Sequence, residues 1–163
     1  MKFTYCPHCG TKLIEKEIGD EGMVPYCDNC RQPMFDMFST CIIALVVNEY
    51  DEALLLHQNY ISDHYWNLVS GYMKPRERAE ETAAREIAEE TGVVIDSLEF
   101  AGTYWFEKKG LLMIGFIARA KKQELELSGE VDAAEWVPVR EALDMVHPEG
   151  SVSHTLVQRI ICF

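Results

Sequence analysis

Several things are scarce in this sequence. Its longest apolar run, Cys41 to Val47, is far too short to span a bilayer, so no membrane partner is expected. The first ten residues, MKFTYCPHCG, hold no apolar signal core, and the expectation is a cytoplasmic protein. Positive charge is scarce too: 15 Lys and Arg stand against 27 Asp and Glu, for a formal net charge of −12. Non-specific binding to a nucleic-acid backbone needs the opposite balance. An acidic cleft would also repel a phosphate substrate unless divalent cations stood between the two. Internal repeats and low-complexity stretches are missing as well.

What is present fits one good core plus a small appendage in 163 residues. Six cysteines without an export signal point to metal or redox use rather than disulfides. Four have a definite spacing, Cys6-Pro-His-Cys9 and Cys27-Asp-Asn-Cys30, with 17 residues between the pairs. Each CxxC can form a tight knuckle, and four thiolates satisfy tetrahedral Zn²⁺ with no position left for chemistry, so the ion would be structural. A redox pair or two disulfides are the rival readings. Short strands at 11–17 and 23–26 would carry the knuckles, with 19–22 turning between them and Gln32-Pro33-Met34 as a linker. His8 is not needed as a ligand, and Cys41 and Cys162 read as packing residues.

Beyond the linker, 40–47 reads as a buried strand, 53–57 as its partner and 65–70 as a third. Strands follow at 98–105, 111–120 and 133–138, with an edge strand at 124–127. Helices are expected over 140–146 and from a cap at Ser151 to Ile160. The sum is helices on both sides of a mixed sheet, an α/β/α sandwich, preceded by a small N-terminal zinc ribbon. The expected domains are 1–35 and 36–163.

Between the third strand and the next lies GYMKPRERAEETAAREIAEETGV, Gly71 to Val93. From Glu80 to Thr91 it lacks Gly and Pro and is rich in helix formers, and Gly92 stands where a helix stops. Glu86, Glu89 and Glu90, spaced i, i+3, i+4, share one helix face. Clustered carboxylates need protonation, basic partners or a divalent cation, and hard oxygen ligands suit Mg²⁺ or Mn²⁺. A solvated acidic face is the plain alternative. With each fixed residue at roughly 5–7% usage, all seven fixed positions match by chance on the order of 10⁻⁸ per start position or more rarely.

The stretch resembles the Nudix box, G-x5-E-x7-R-E-U-x-E-E-x-G-U with U apolar. The resemblance implies a Nudix fold over 36–163 and water attack on the diphosphate of a nucleoside diphosphate-linked substrate. It makes Glu86 and Glu90 the principal metal ligands, with Glu89 and the Ser70 carbonyl beside them, and Arg85 an organiser paired with Glu77. Two positions depart from the family pattern: Lys74 replaces a frequent glutamate, and Pro75-Arg76 stands where a glycine usually precedes Glu77. The base is then sought at Glu89 or Glu130. Glu130 opens EVDAAEW, which looks like a segment of NADH pyrophosphatases whose glutamate reaches the metal. A zinc ribbon before the Nudix domain, and Gly71-Tyr72, are similar to that group too, whereas TYWFEKKGL lacks its proline-rich signature.

Tyr72, Tyr104 and Trp105 are candidate base-stacking residues; core packing is the plainer reading of the aromatic run at 104–106. Lys108 and Lys109 read as hairpin-tip charges that could also meet phosphate. The expected substrate is a nucleotide-type small molecule, NAD(H) first, giving NMN(H) plus AMP. Hydrolysis of ADP-ribose, another nucleotide conjugate or a (d)NTP is the alternative. A non-catalytic nucleotide sensor is a third reading, and a homodimer is left open.

Overall fold

A computed structural model describes residues 3–162; Met1, Lys2 and Phe163, the outer ends of the two expected domains, lie outside the described residues. The chain divides into two compact units, Met1–Phe38 and Ser39–Phe163. The first holds an antiparallel three-stranded sheet of β1 (Ile14–Glu17), β2 (Met23–Cys27) and β3 (Gln32–Pro33), in that order. Gln32 and Pro33 are therefore sheet rather than linker, pairing with Cys27 and Tyr26. Proline is tolerated because β3 is an edge strand that needs no donor at that point. The unit's core is small: Cys6, Cys27 and Met34 are buried, with Leu13 and Cys30 against them.

The second unit contains β4 (Ser39–Val47), β5 (Glu52–His57), β6 (Val69–Tyr72), α1 (Ala79–Thr91), β7 (Ser97–Phe106), β8 (Leu111–Arg119), β9 (Ala133–Pro138), α2 (Val139–Met145) and α3 (Val152–Ile161). The sheet runs β7-β8-β4-β5-β9, with β6 also on β4. It is mixed, because β4 pairs in parallel with β8 over its whole length and antiparallel with β6 at Cys41–Ala44. The two sides of β4 explain its unbroken apolar sequence. Ile42, Ala44 and Val46 pack with Leu54, Leu56 and with Ala83 and Ile87 of α1. Ile43, Leu45 and Val47 pack with Leu55 and with Ala142, Leu156 and Val157 of α2 and α3. Helices thus cover both faces, the expected α/β/α sandwich. Each fully buried aliphatic side chain here contributes about 1.5–3 kcal/mol of transfer free energy.

Two local expectations are corrected. The third strand begins at Val69 and runs through Tyr72, so Gly71 lies inside β6 and is paired with Ile42. Residues 124–127 form no strand. The Glu126 and Ser128 N–H groups instead donate to the carbonyls of Thr91 (2.9 Å) and Glu90 (3.2 Å), satisfying the open end of α1. That helix closes on Gly92 at φ 74°, as its sequence anticipates. Ser151 caps α3 by accepting from the His154 N–H at 3.1 Å. No helix among the described residues is long and apolar enough to cross a membrane.

Candidate active site

In the first unit, Cys6, Cys9, Cys27 and Cys30 are the one set of three or more potential ligands among the described residues whose donor atoms all lie within 4.8 Å of one another. The Sγ atoms of Cys6 and Cys30 are 3.9 Å apart, those of Cys9 and Cys27 3.5 Å. A zinc tetrahedron with bonds of about 2.3 Å has edges of about 3.8 Å, so the spacing fits that ion. Hydrogen bonding at Thr11, 3.3 Å away, holds the exposed Cys9 thiol at about 5. Cys30, hydrogen-bonded to Cys9 and desolvated, is pushed up to about 12. A cation placed among them would favour the thiolate form of all four.

In the second unit, β6 hands the chain to loop 73–78 and then to α1. Gly71 is required by Glu86, whose carboxyl carbon occupies the space a Cβ at 71 would fill. The guanidinium of Arg85 ties the loop to the helix. Its Nε and Nη2 donate to the two Glu77 oxygens at 2.6 and 2.9 Å. Its Nη1 donates to Glu86 at 2.6 Å and Glu89 at 2.9 Å. Glu77 also accepts from the Lys74 N–H (3.0 Å) and the Thr82 hydroxyl (2.8 Å). The Arg85 bonds, first among these, hold its carboxyl at about 2. Arg76 adopts φ 71°, the left-handed region a glycine would enter freely, at a cost of about 1–2 kcal/mol. Lys74 places Nζ 3.9 Å from Glu89 Oε1.

Glu90 differs from its two neighbours. It is 4% exposed, and its Oε2 has no hydrogen-bond partner. Burial first, then the charge of Glu86, push its carboxyl up to about 7, with Glu130 and Glu89 adding to the rise. Among the described residues, three buried side-chain atoms are unpartnered: Glu90 Oε2, Gln58 Oε1 and Asn67 Nδ2. Gln58 touches Glu90, and Asn67 and Glu90 line one cavity. Such concentrations of unsatisfied groups mark sites built for something else. An orphaned carboxylate oxygen one helical turn from Glu86 is the kind of hard ligand that fits Mg²⁺ or Mn²⁺.

The cavity measures about 1220 Å³. Ser70, Tyr72, Arg85, Glu86, Glu89, Glu90, Trp105 and Glu130 all line it, so the fold gathers these candidates at one place. Glu77 lies behind Arg85. Tyr104 is placed elsewhere: its hydroxyl donates to the Ala101 carbonyl at 2.8 Å, and its ring lies over Gly102 and Gly115 in the layer under α3. Strand alternation gives Trp105 the opposite side. Tyr72 and Trp105 are 57% and 52% exposed, and the Trp105 indole N–H donates to Glu107 Oε2 at 2.6 Å. Lys74, Lys108 and Lys109 line the cavity as well. So does His147, held below its usual value by burial and then by Lys108, with Tyr65 4.8 Å from its ring.

Gln58 and Asn67 were not legible as site residues. The signal was there in Leu54, Leu56 and Gln58, where a polar residue continues an apolar alternation. Asn67 likewise interrupts an otherwise apolar stretch opposite Leu56.

The second unit is thus a mixed-sheet sandwich carrying a loop–helix of carboxylates on the wall of a large cavity. The chain belongs to the NUDIX domain family, whose model matches residues 37–156. It is 25% identical over 158 residues to an NAD-capped RNA hydrolase NudC of Vibrio cholerae, covering 96% of this chain and 57% of that one. It is 30% identical over 139 residues to the chloroplastic Nudix hydrolase 19 of Arabidopsis thaliana, covering 81% and 32%. The chain thus spans little more than half the length of the NudC relative and less of the plant one. Among solved structures it is similar to a NUDIX hydrolase from Nitrosomonas europaea, with TM-score 0.72, 19% identity and coverage of 98% and 90%. It is also similar to the NUDIX domain of Shewanella oneidensis NrtR complexed with ADP ribose, with TM-score 0.64, 20% identity and coverage of 85% and 94%. The Nudix resemblance read from Gly71–Val93 and the sandwich expected from it therefore hold.

Proposed function

We propose that the chain is a metal-dependent pyrophosphohydrolase that cleaves the diphosphate of a nucleoside diphosphate-linked substrate, with NAD(H) the first candidate. The observation that carries this reading is Glu90: a buried carboxylate with an uncommitted oxygen, beside Glu86, on the wall of a cavity large enough for a dinucleotide. Glu86, Glu90, Glu89 and the Ser70 carbonyl would hold Mg²⁺ or Mn²⁺. When bound, the cation supplies charge neutralisation and Lewis acidity at the diphosphate.

The chain's own residues do the rest. Lys74, Lys108 and Lys109 meet the phosphates, and Tyr72 and Trp105 offer rings for a base to stack on. Water adds to phosphorus as the bridging P–O bond breaks, and a carboxylate takes the water's proton. Glu130 is favoured for that role over Glu89, because Glu89 is already tied to Arg85 and Lys74 while Glu130 has no ion pair among the described residues. Arg85 and Glu77 fix the loop against the helix. The four thiols of the first unit would hold a structural Zn²⁺.

The NudC relative supports the NAD-type substrate. The ADP-ribose complex of a similar fold supports ADP-ribose as the second reading. A panel of diphosphates with Mg²⁺ or Mn²⁺, with products resolved by mass, tests this. NMN plus AMP from NAD(H) is expected; ribose 5-phosphate plus AMP from ADP-ribose would favour the second reading. Tight nucleotide binding without turnover of any diphosphate would make the chain a sensor instead.

A further inference from the structure

Gln58 stands where β5 gives way to loop 59–64. Its side chain is 1% exposed, and its backbone carbonyl accepts from Ile61 and Ser62 at 2.9 and 3.1 Å, which pins the main chain. Nε2 donates to the Tyr60 hydroxyl at 3.3 Å and to Glu90 Oε1 at 3.4 Å, using both of its hydrogens. Turning the amide over would set its carbonyl oxygen against a carboxylate, so the neighbours dictate its orientation. No other described residue hydrogen-bonds the Glu90 carboxylate. Glu86 and Glu89 are restrained by a cation, Arg85; Glu90 is restrained by a neutral amide.

We infer that Gln58 is a positioning residue for the catalytic cation, holding one oxygen of Glu90 so that the other stays uncommitted. This rests on the reading of Glu90 as a cation ligand. A glutamate has several rotatable bonds, and fixing them when a cation arrives lowers affinity. An amide donor fixes them beforehand without adding a positive charge that would repel the incoming ion. It also leaves the carboxylate's second oxygen free, which a bidentate arginine would not. The amide acts through Glu90 and touches no reacting atom.

The test is Mn²⁺ binding to the full chain, with free Mn²⁺ read by electron paramagnetic resonance, for wild type, Glu90→Gln, Gln58→Met and Gln58→Asn. Gln58→Met keeps the shape and removes the donor; Gln58→Asn keeps an amide and draws it back. Both Gln58 variants are expected to raise the Mn²⁺ Kd about 10–100-fold, to melt near the metal-free wild type, and to recover kcat as Mn²⁺ approaches saturation. A Kd within about twofold of wild type in a folded variant overturns the inference, as does failure of both variants to fold, which would make the amide merely structural. Equal Mn²⁺ binding by wild type and Glu90→Gln would instead remove the metal-ligand reading of Glu90, and the inference with it.

Discussion

At residue 71 the missing side chain is the functional group. The Glu86 carboxyl lies where a Cβ would be, and a glutamate end is flexible enough to swing away. Gly71→Ala is therefore expected to fold with nearly unchanged stability while Mn²⁺ affinity and turnover fall about 10-fold or more. A melt beside a metal titration checks both halves.

Glu90 makes a second prediction, with a definite sign. Its carboxyl stands near 7 in the folded chain against an ordinary 4.5, so between those values the folded state keeps a proton the unfolded state has lost. Stability of the metal-free protein then falls as pH rises through that window, and the full cost is present above 7. Glu90→Gln removes the cost. At pH 8 without metal the variant should melt higher than wild type by about 3 °C or more, and near pH 4 the two should converge. Mg²⁺ should stabilise wild type alone, and turnover by the variant should vanish. The same scale shows what was legible. Gly71, Glu77, Arg85 and Glu86 sit on the end of β6, the loop after it and one helix, so local spacing sufficed to bring them together. Gln58 joins them through the end of β5: the local alternation marks it as a polar residue on an apolar face, but its meeting with Glu90 is a long-range placement.

Elements tell a similar story at greater length. The helix α1 and its stop at Gly92 follow from composition and one glycine, and β4 from an apolar run buried on both sides. Residues 124–127 alternate like a strand, yet the carbonyls at the end of α1 claim the Glu126 and Ser128 amides first. Pro33 reads as a linker because it lacks an N–H, but at a sheet edge that lack is harmless. The first unit depends on its thiols for a core, since Cys6, Cys27, Val24 and Met34 are its buried apolar side chains among the described residues. With zinc bound, Cys27→Ser is expected to release the ion and unfold that unit, while turnover by the second changes much less. Zinc content by mass spectrometry, with melting followed in two phases, is the measurement. Retained stoichiometric zinc would refute the ligand assignment.

For the whole molecule, the cavity and every proposed catalytic residue belong to Ser39–Phe163, which has its own two-sided core. That unit expressed separately should fold cooperatively and keep Mn²⁺ binding and turnover within an order of magnitude of the full chain. A collapse of turnover with native circular dichroism would show that the first unit contributes to the reaction. The formal charge of −12 belongs to this scale as well, and on the proposed reading a cation would stand between the site's carboxylates and a diphosphate.

The parallel pairing of β4 with β8 has a kinetic consequence. One strand ends at Val47 and its partner begins at Leu111, so loop closure must be met before the centre of the sheet gains anything. Everything between them, the carboxylate helix included, emerges from a ribosome while β4 still lacks that neighbour. At a synthesis rate of about 5–20 residues per second, the apolar strand waits several seconds exposed. Nascent chains are therefore most open to aggregation and to chaperone capture before residue 119 is released.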